Sequence, residues 1–124
     1  MTSTNTNNTN NIINEVMNNL TEMLDFVNEE LNKPKCLCKC NSIVINRERL
    51  MTISVNDNNE IECVFTTKYP TIFSPSMARK VCKEAILKDI NGYRIPLEII
   101  TEEKYYTLIK EWCEEQLRLF NTLF

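Results

Sequence analysis

Apolar and polar residues alternate along this chain with two different periods, and the first clear pattern lies in residues 11–32. There the apolar side chains recur at steps of four and three, which places them on one face of a helix. The stripe consists of Ile13, Met17, Leu20, Leu24, Val27 and Leu31. We expect the helix to end near Asn32, because Pro34 disfavours helical geometry at the residue before it. Residues 1–10 are mostly Asn and Thr, so we predict a disordered tail there.

Two stretches in the middle of the chain alternate between apolar and polar residues with the period of a strand. They are Leu50 to Val55 and Glu60 to Thr66. The four residues between them, 56–59, are Asn and Asp, which tolerate left-handed backbone better than other residues with a side chain. The pattern therefore predicts a β-hairpin. A further short strand is predicted at Ser42 to Ile45.

The second half of the chain contains the signals of two more helices. Ser74 followed by Pro75 is typical of a helix start, because the hydroxyl caps free N–H groups and proline needs no donor in the first turn. This helix should stop by residues 91–92, which are Asn-Gly, and a short strand should follow over residues 93–100. Thr101 is expected to begin the last helix.

The length of the chain limits its organisation. With 124 residues it has room for one modest core, so we predict a single domain of the α+β class over residues 11–124. Its expected parts are a long helix at 11–32, a linker rich in Cys and Lys at 33–41, and a mixed region at 42–124. The mixed region should hold a small hairpin sheet with one or two added short strands, and two further helices packed on one face.

Charge and apolar run length narrow the choice of partners. A net charge of −3 opposes binding to a phosphate backbone, so no nucleic acid is expected as partner. The apolar runs are far shorter than the ~20 residues that cross a bilayer, so no membrane contact is expected. The six cysteines lie in one tight group and at apolar positions of predicted elements, which is typical of reduced thiols. We expect a cytoplasmic protein or, if the chain is viral, one of the host cytoplasm or the virion.

The composition also argues against catalysis. The chain has no His, which removes Ser-His and Cys-His catalysis and imidazole ligation of a metal together. It has a single Gly, so it can form neither a dinucleotide-binding loop nor a phosphate-binding P-loop. We therefore predict that the protein is not an enzyme and holds no cofactor.

One group of residues suggests metal chemistry. Cys36, Cys38 and Cys40 would share one side of an extended strand, and the lysines between and beside them would favour thiolates. With a fourth Cys from elsewhere in the chain, a zinc site is conceivable. Zinc hairpins usually space their ligands as C-x-x-C, however, so the favoured interpretation is a row of reduced structural thiols.

The two terminal helices carry more apolar surface than one core of this size requires. The stripe at 11–32 has the spacing of a coiled-coil seam, and the last helix is apolar on more than one side. Either the two stripes pack on each other or one of them binds another chain. For the second case the candidate partner-binding residues are Ile13, Met17, Leu20, Leu24, Val27, Leu31, Trp112, Leu117, Phe120 and Phe124.

The segment from Leu50 to Gln116 resembles a known family. Its features are the hairpin sequence MTISVNDNNEIECV, the helix start SPSMARKV, the step IPLEI and the helix YYTLIKEWCEEQ. In this order they resemble the BTB/POZ fold of elongin C and of the F-box adaptor of cullin ligases. The resemblance implies the BTB/POZ fold and the role of an adaptor that binds other proteins.

Taken together, the sequence predicts a non-enzymatic protein-protein interaction module, with an elongin C-like adaptor as its narrower form. Its partner would be another protein chain, either a second copy in a homo-oligomer or a different protein. The abundance of Asn, Ile and Lys is typical of an AT-rich genome, which suggests as an alternative a structural or assembly subunit of a virus or phage particle. A small thiolate metal-binding protein is a third hypothesis.

Overall fold

A computed structural model describes residues 3–34, 41–65, 68–87 and 96–123, with the side chains of the first helix described from residue 11 onward. Over these ranges the chain forms three helices and four strands. The helices are α1 (Ser3–Asn32), α2 (Pro75–Leu87) and α3 (Glu102–Leu123), and the strands are β1 (Ser42–Asn46), β2 (Met51–Val55), β3 (Ile61–Phe65) and β4 (Glu98–Thr101). The predicted α+β class is confirmed.

The four strands form one antiparallel sheet in the order β3-β2-β1-β4. In this register Val44 lies opposite Ile99, and Ile53 lies opposite Cys63. Strand β1, predicted only as an addition to the hairpin, is an inner strand with all five residues buried. A strand buried on both faces shows no alternation of polar and apolar residues, so the pattern alone could not reveal this position.

The core of this part of the chain lies between the sheet and α2, which contacts β1, β3 and β4. Its buried members are Val44, Ile53, Phe73, Ala78 and Val81. The predicted inward face of the hairpin is only partly covered, because β3 is an edge strand. Ile61 packs against the core, whereas the Cys63 side chain is exposed and that of Phe65 is 71% exposed.

The predicted hairpin between β2 and β3 is confirmed, and Asn56 organises its turn. The Asn56 side-chain oxygen accepts hydrogen bonds from the backbone N–H groups of Asn58 and Glu60, at 2.9 Å each. The backbone N–H of Asn59 donates to the carbonyl of Asn56 at 3.0 Å. Asn59 itself takes the left-handed conformation, with φ of 61°, which Asn adopts at less cost than most residues.

Helix α1 corrects one prediction. It ends at Asn32 as expected, but it begins at Ser3, so residues 3–10 continue the helix where the composition predicts a disordered tail. Once a helix is nucleated, each added residue gains one backbone hydrogen bond for one residue fixed. Extension into an Asn- and Thr-rich segment therefore needs no apolar face of its own.

The boundaries near residue 90 are only partly tested. Helix α2 reaches Leu87, and the predicted stop at residues 91–92 lies outside the described residues. Strand β4 begins at Glu98, and residues 96 and 97 before it belong to no strand. Residues 93–95, where the strand is predicted to begin, lie outside the described ranges. Proline has no N–H to donate to a ladder, which fits its place before the strand.

The chain divides into two compact units. One consists of Met1–Lys33 and Tyr106–Phe124, and the other of Pro34–Tyr105. We call them the helical unit and the sheet unit. The single domain over 11–124, the linker at 33–41 and the packing of two helices on one sheet face stay predictions. No helix in the described ranges is both long enough and apolar enough to cross a bilayer.

Candidate functional site

The apolar stripe predicted on α1 is largely turned inward. Leu20 and Val27 are buried, with Val27 only 1% exposed. Four other members, Ile13, Met17, Leu24 and Leu31, are half-buried. Leu20 and Val27 are thus largely covered within this chain, and the role of the stripe in contact with a partner stays a prediction.

Helix α3 is positioned by the strand that precedes it. Thr101, the last residue of β4, accepts a hydrogen bond from the backbone N–H of Lys104 through its hydroxyl, at 3.1 Å. Glu102 and Glu103 occupy the first turn, where carboxylates complement the positive end of the helix dipole. The Asn41 side-chain amide donates to the Glu102 carboxylate at 2.9 Å, which ties the start of α3 to the residue before β1.

One face of α3 is buried. Its side chains are Tyr105, Tyr106, Ile109 and Cys113, none of them more than 7% exposed. Within the helical unit, the rings of Phe26 on α1 and Tyr106 on α3 meet edge to face, with centroids 6.2 Å apart. The expectation that the last helix is enclosed therefore holds for this face.

A second apolar stripe on α3 begins at the buried Tyr105 and is exposed from Trp112 onward, where it forms the candidate site. Trp112, Leu119 and Leu123 are 37%, 38% and 73% exposed. At 100° per residue, these three side chains lie within about 40° of one another around the helix axis, so they form one continuous strip. The strip is centred about 60° from Ile109 on the buried face. We call these three residues the α3 strip.

The sequence identified this site only in part. Trp112 is among the predicted partner-binding residues, but Leu119 and Leu123 are not. Leu119 follows Trp112 by seven residues and Leu123 follows Leu119 by four, and this helical spacing is the signal that identifies them. Two other candidates, Leu117 and Phe120, are half-buried. Phe124 lies outside the residues whose placement the structure describes.

Charged side chains flank the α3 strip on the side away from the buried face. Glu111 and Glu115 are both exposed there. The Arg118 guanidinium donates two hydrogen bonds to the Glu115 carboxylate, at 3.1 and 2.5 Å. These hydrogen bonds, with the attraction of the guanidinium charge, hold the pKa of Glu115 below its ordinary value. The strip therefore lies beside the Glu115 carboxylate, which stays ionised at neutral pH.

The cysteines are the other candidate site, as possible ligands of zinc. Cys36, Cys38 and Cys40 lie outside the described residues, so the zinc hypothesis stays untested there. In the part of the chain that the structure describes, no three His, Cys, Asp or Glu residues come together as metal ligands would. Burial, with the nearby charge of Glu114, raises the pKa of the Cys113 thiol to about 11, which keeps it protonated at neutral pH.

Comparison with known proteins adds no relative. No family model matches the chain, and neither a curated protein nor a solved structure matches it. The resemblance to the BTB/POZ fold therefore stays a prediction. The candidate site depends on the geometry of α3 alone.

Proposed function

We propose that this protein is a non-enzymatic interaction module of the cytoplasm, and that the α3 strip binds a helix of another protein chain. One observation supports this proposal: α3 leaves Trp112, Leu119 and Leu123 exposed beside its buried face. An aromatic side chain and two leucines in one strip form the kind of surface at which a few side chains supply most of the binding energy.

The spacing along α3 favours a helical partner. Positions 112, 116, 119 and 123 follow steps of four, three and four, which is the spacing of the a and d positions of a helix-helix seam. Three of the four are the apolar residues of the α3 strip, and Gln116 between them is half-buried. A partner helix can place its own side chains between these four, as an amphipathic helix does in a groove.

The narrower proposal is an adaptor of the elongin C type. It is supported by the resemblance of residues 50–116 to the BTB/POZ family, in which an adaptor binds segments of other proteins. The wider proposal does not depend on this resemblance, because it is argued from the exposure and the spacing of the strip.

Replacement of the strip tests the proposal. A Trp112→Ala, Leu119→Asp variant of the full chain should lose binding to partners captured by crosslinking in the native source, by at least about tenfold in recovered amount, since two anchor residues cost ~3 kcal/mol or more. A photoreactive residue at position 119 should crosslink to a helical segment of the partner. Ile72→Asp is the matched control, because Ile72 is 42% exposed and lies in the sheet unit.

The variants are first compared by circular dichroism, so that a loss of binding is separated from a loss of folding. If the folded Trp112→Ala, Leu119→Asp variant recovers the same partners in the same amounts as the native chain, the α3 strip is not the binding surface. If the Ile72→Asp variant loses the partners equally, the binding surface lies in the sheet unit.

A further inference from the structure

The two compact units carry charge of opposite sign. In the helical unit, the sequence contains eight acidic and three basic residues, a net charge of −5. In the sheet unit it contains nine acidic and eleven basic residues, a net charge of +2. Because the two charges partly cancel, the net charge of −3 for the whole chain does not reveal this difference. Opposite net charges on two parts of one chain favour contact between different parts of two copies.

Three of the eleven basic residues of the sheet unit lie on exposed positions of α2. Arg79, Lys80 and Lys83 are all exposed, and none of them makes an ion pair with another described residue. Ile86, 49% exposed, follows Lys83 by three residues. Arg79, Lys83 and Ile86 therefore follow steps of four and three along one strip of the helix, with Lys80 beside it. We call these four residues the α2 strip.

The α3 strip has the complementary character. Its apolar residues lie beside Glu111 and Glu115. The segment from Glu111 to Arg118 contains three carboxylates and one guanidinium. The α2 strip has three cations beside one exposed apolar side chain. The α2 strip follows steps of four and three, and the α3 strip does so when Gln116 is counted with it. Two such helices can pack side by side with apolar residues at the centre and opposite charges at the rim.

We propose that the α3 strip of one copy binds the α2 strip of a second copy. This inference rests on the proposed function, because it names the helix that the α3 strip accepts. The contact joins two different surfaces, so it is heterologous. An open assembly of copies keeps a free α3 strip at one end and a free α2 strip at the other. Copies therefore add to one another until a ring closes or a filament grows.

The contact between two single helices is small, and exposed ion pairs contribute only ~0.2–1 kcal/mol each. Association should therefore be weak for one pair of strips, and it should weaken as salt screens the charges. For the native full chain, sedimentation velocity should show a mass that rises with concentration above the 14.6 kDa of one chain. Raising NaCl from about 0.05 to about 0.5 M should reduce the association constant by about tenfold or more.

Two variants with complementary defects give the decisive test. Leu119→Asp, Leu123→Asp removes the α3 strip, and Arg79→Glu, Lys83→Glu reverses the α2 strip. Each variant alone should sediment as a monomer. An equimolar mixture should form one dimer of twice the mass of a chain, because the intact α3 strip of one variant meets the intact α2 strip of the other. Arg79→Gln, Lys83→Gln serves in place of the charge reversal if that variant does not fold.

Several results would overturn the inference. A dimer formed by the Arg79→Glu, Lys83→Glu variant alone would show that two α3 strips pair with each other. A mixture that stays monomeric while the native chain associates would place the contact elsewhere. If the native chain is monomeric at every concentration but loses its native partners on Trp112→Ala, Leu119→Asp substitution, the α3 strip serves a different protein; the proposed function then stands and this inference fails.

Discussion

The rings of Phe26 and Tyr106 meet edge to face, with centroids 6.2 Å apart and planes at 74°. These residues are 80 positions apart in the chain, and their contact joins α1 to α3 within the helical unit. An edge-to-face pair contributes about 0.5–1.5 kcal/mol beyond the area that it buries. The contact thus helps to determine which face of α3 is turned inward.

Substitution of Phe26 tests how much this contact contributes to the free energy of unfolding. Phe26→Ala should lower the free energy of unfolding by about 1–3 kcal/mol, less than for a fully buried ring because Phe26 is half-buried. Urea denaturation followed by circular dichroism measures the change. Ile12→Ala is the control: Ile12 lies on the same helix and is 61% exposed, so its loss should change stability by less than ~0.5 kcal/mol. Equal effects of the two substitutions would contradict the assigned role of the ring pair.

The start of α2 depends on Ser74. Its hydroxyl accepts a hydrogen bond from the backbone N–H of Met77 at 3.3 Å, so Ser74→Ala leaves that donor without its cap. We expect a loss of about 1 kcal/mol in stability, and restoration by Ser74→Asp, which also accepts at this position. Ser76→Ala removes only the 3.4 Å hydrogen bond between the Ser76 and Ser74 hydroxyls, so it should cost less than Ser74→Ala. Thermal denaturation of the three variants measures these changes in stability. If Ser74→Ala leaves the stability unchanged, Pro75 alone determines where α2 begins.

The β2-β3 hairpin depends on Asn56. Its side chain accepts from two backbone N–H groups and donates to the Glu62 carboxylate at 2.9 Å. Asn56→Ala should cost about 1–2 kcal/mol, because the turn loses these local hydrogen bonds. Asn58→Ala removes a neighbouring amide whose side chain has no hydrogen bond in the described structure, and it should change stability little. Amide hydrogen exchange in β3 should accelerate in Asn56→Ala only.

The thiols should differ in reactivity. At pH 8, iodoacetamide should modify the exposed Cys63 first and Cys113 only on unfolding, because Cys113 is buried and its pKa is about 11. Folding raises the pKa of Cys113 from its ordinary value of 9.0 to about 11, so the folded state keeps the proton that the unfolded state loses. The contribution of Cys113 to stability should therefore be constant below pH 9 and fall as the pH rises from 9 through 11. Cys113→Ala should remove this contribution; mass spectrometry and denaturation at pH 8 and 10.5 test both statements.

The group of three thiols near residue 38 gives a separate prediction. Replacing Cys36, Cys38 and Cys40 together with Ser should leave the fold and its stability unchanged if no ion organises them. Elemental analysis of the purified native chain, with denaturation in the presence and absence of a chelator, is the measurement. Stoichiometric zinc and unfolding by the chelator would support the third hypothesis, a thiolate metal-binding protein.

The sequence by itself determined the elements of this protein and most of their ends. Period, caps and turn residues are local signals: steps of four and three indicated α1, Ser74 and Pro75 marked the start of α2, Thr101 marked the start of α3, and the Asn-rich turn marked the hairpin. These signals act over a few residues, so their effects can be read without knowing the rest of the fold.

Only the tertiary structure decided which surfaces are covered. Strand β1 became an inner strand because β4, about 55 residues further along the chain, pairs with its second edge, and no local pattern specifies that pairing. Likewise, apolar residues cover more than one side of α3, and the sequence cannot tell which of them are covered. Packing buries Ile109 and Cys113 and leaves Trp112, Leu119 and Leu123 exposed. Periodicity determines which residues share a face of a helix. Long-range contacts determine which face is buried, because burial depends on the parts of the chain that pack against that face.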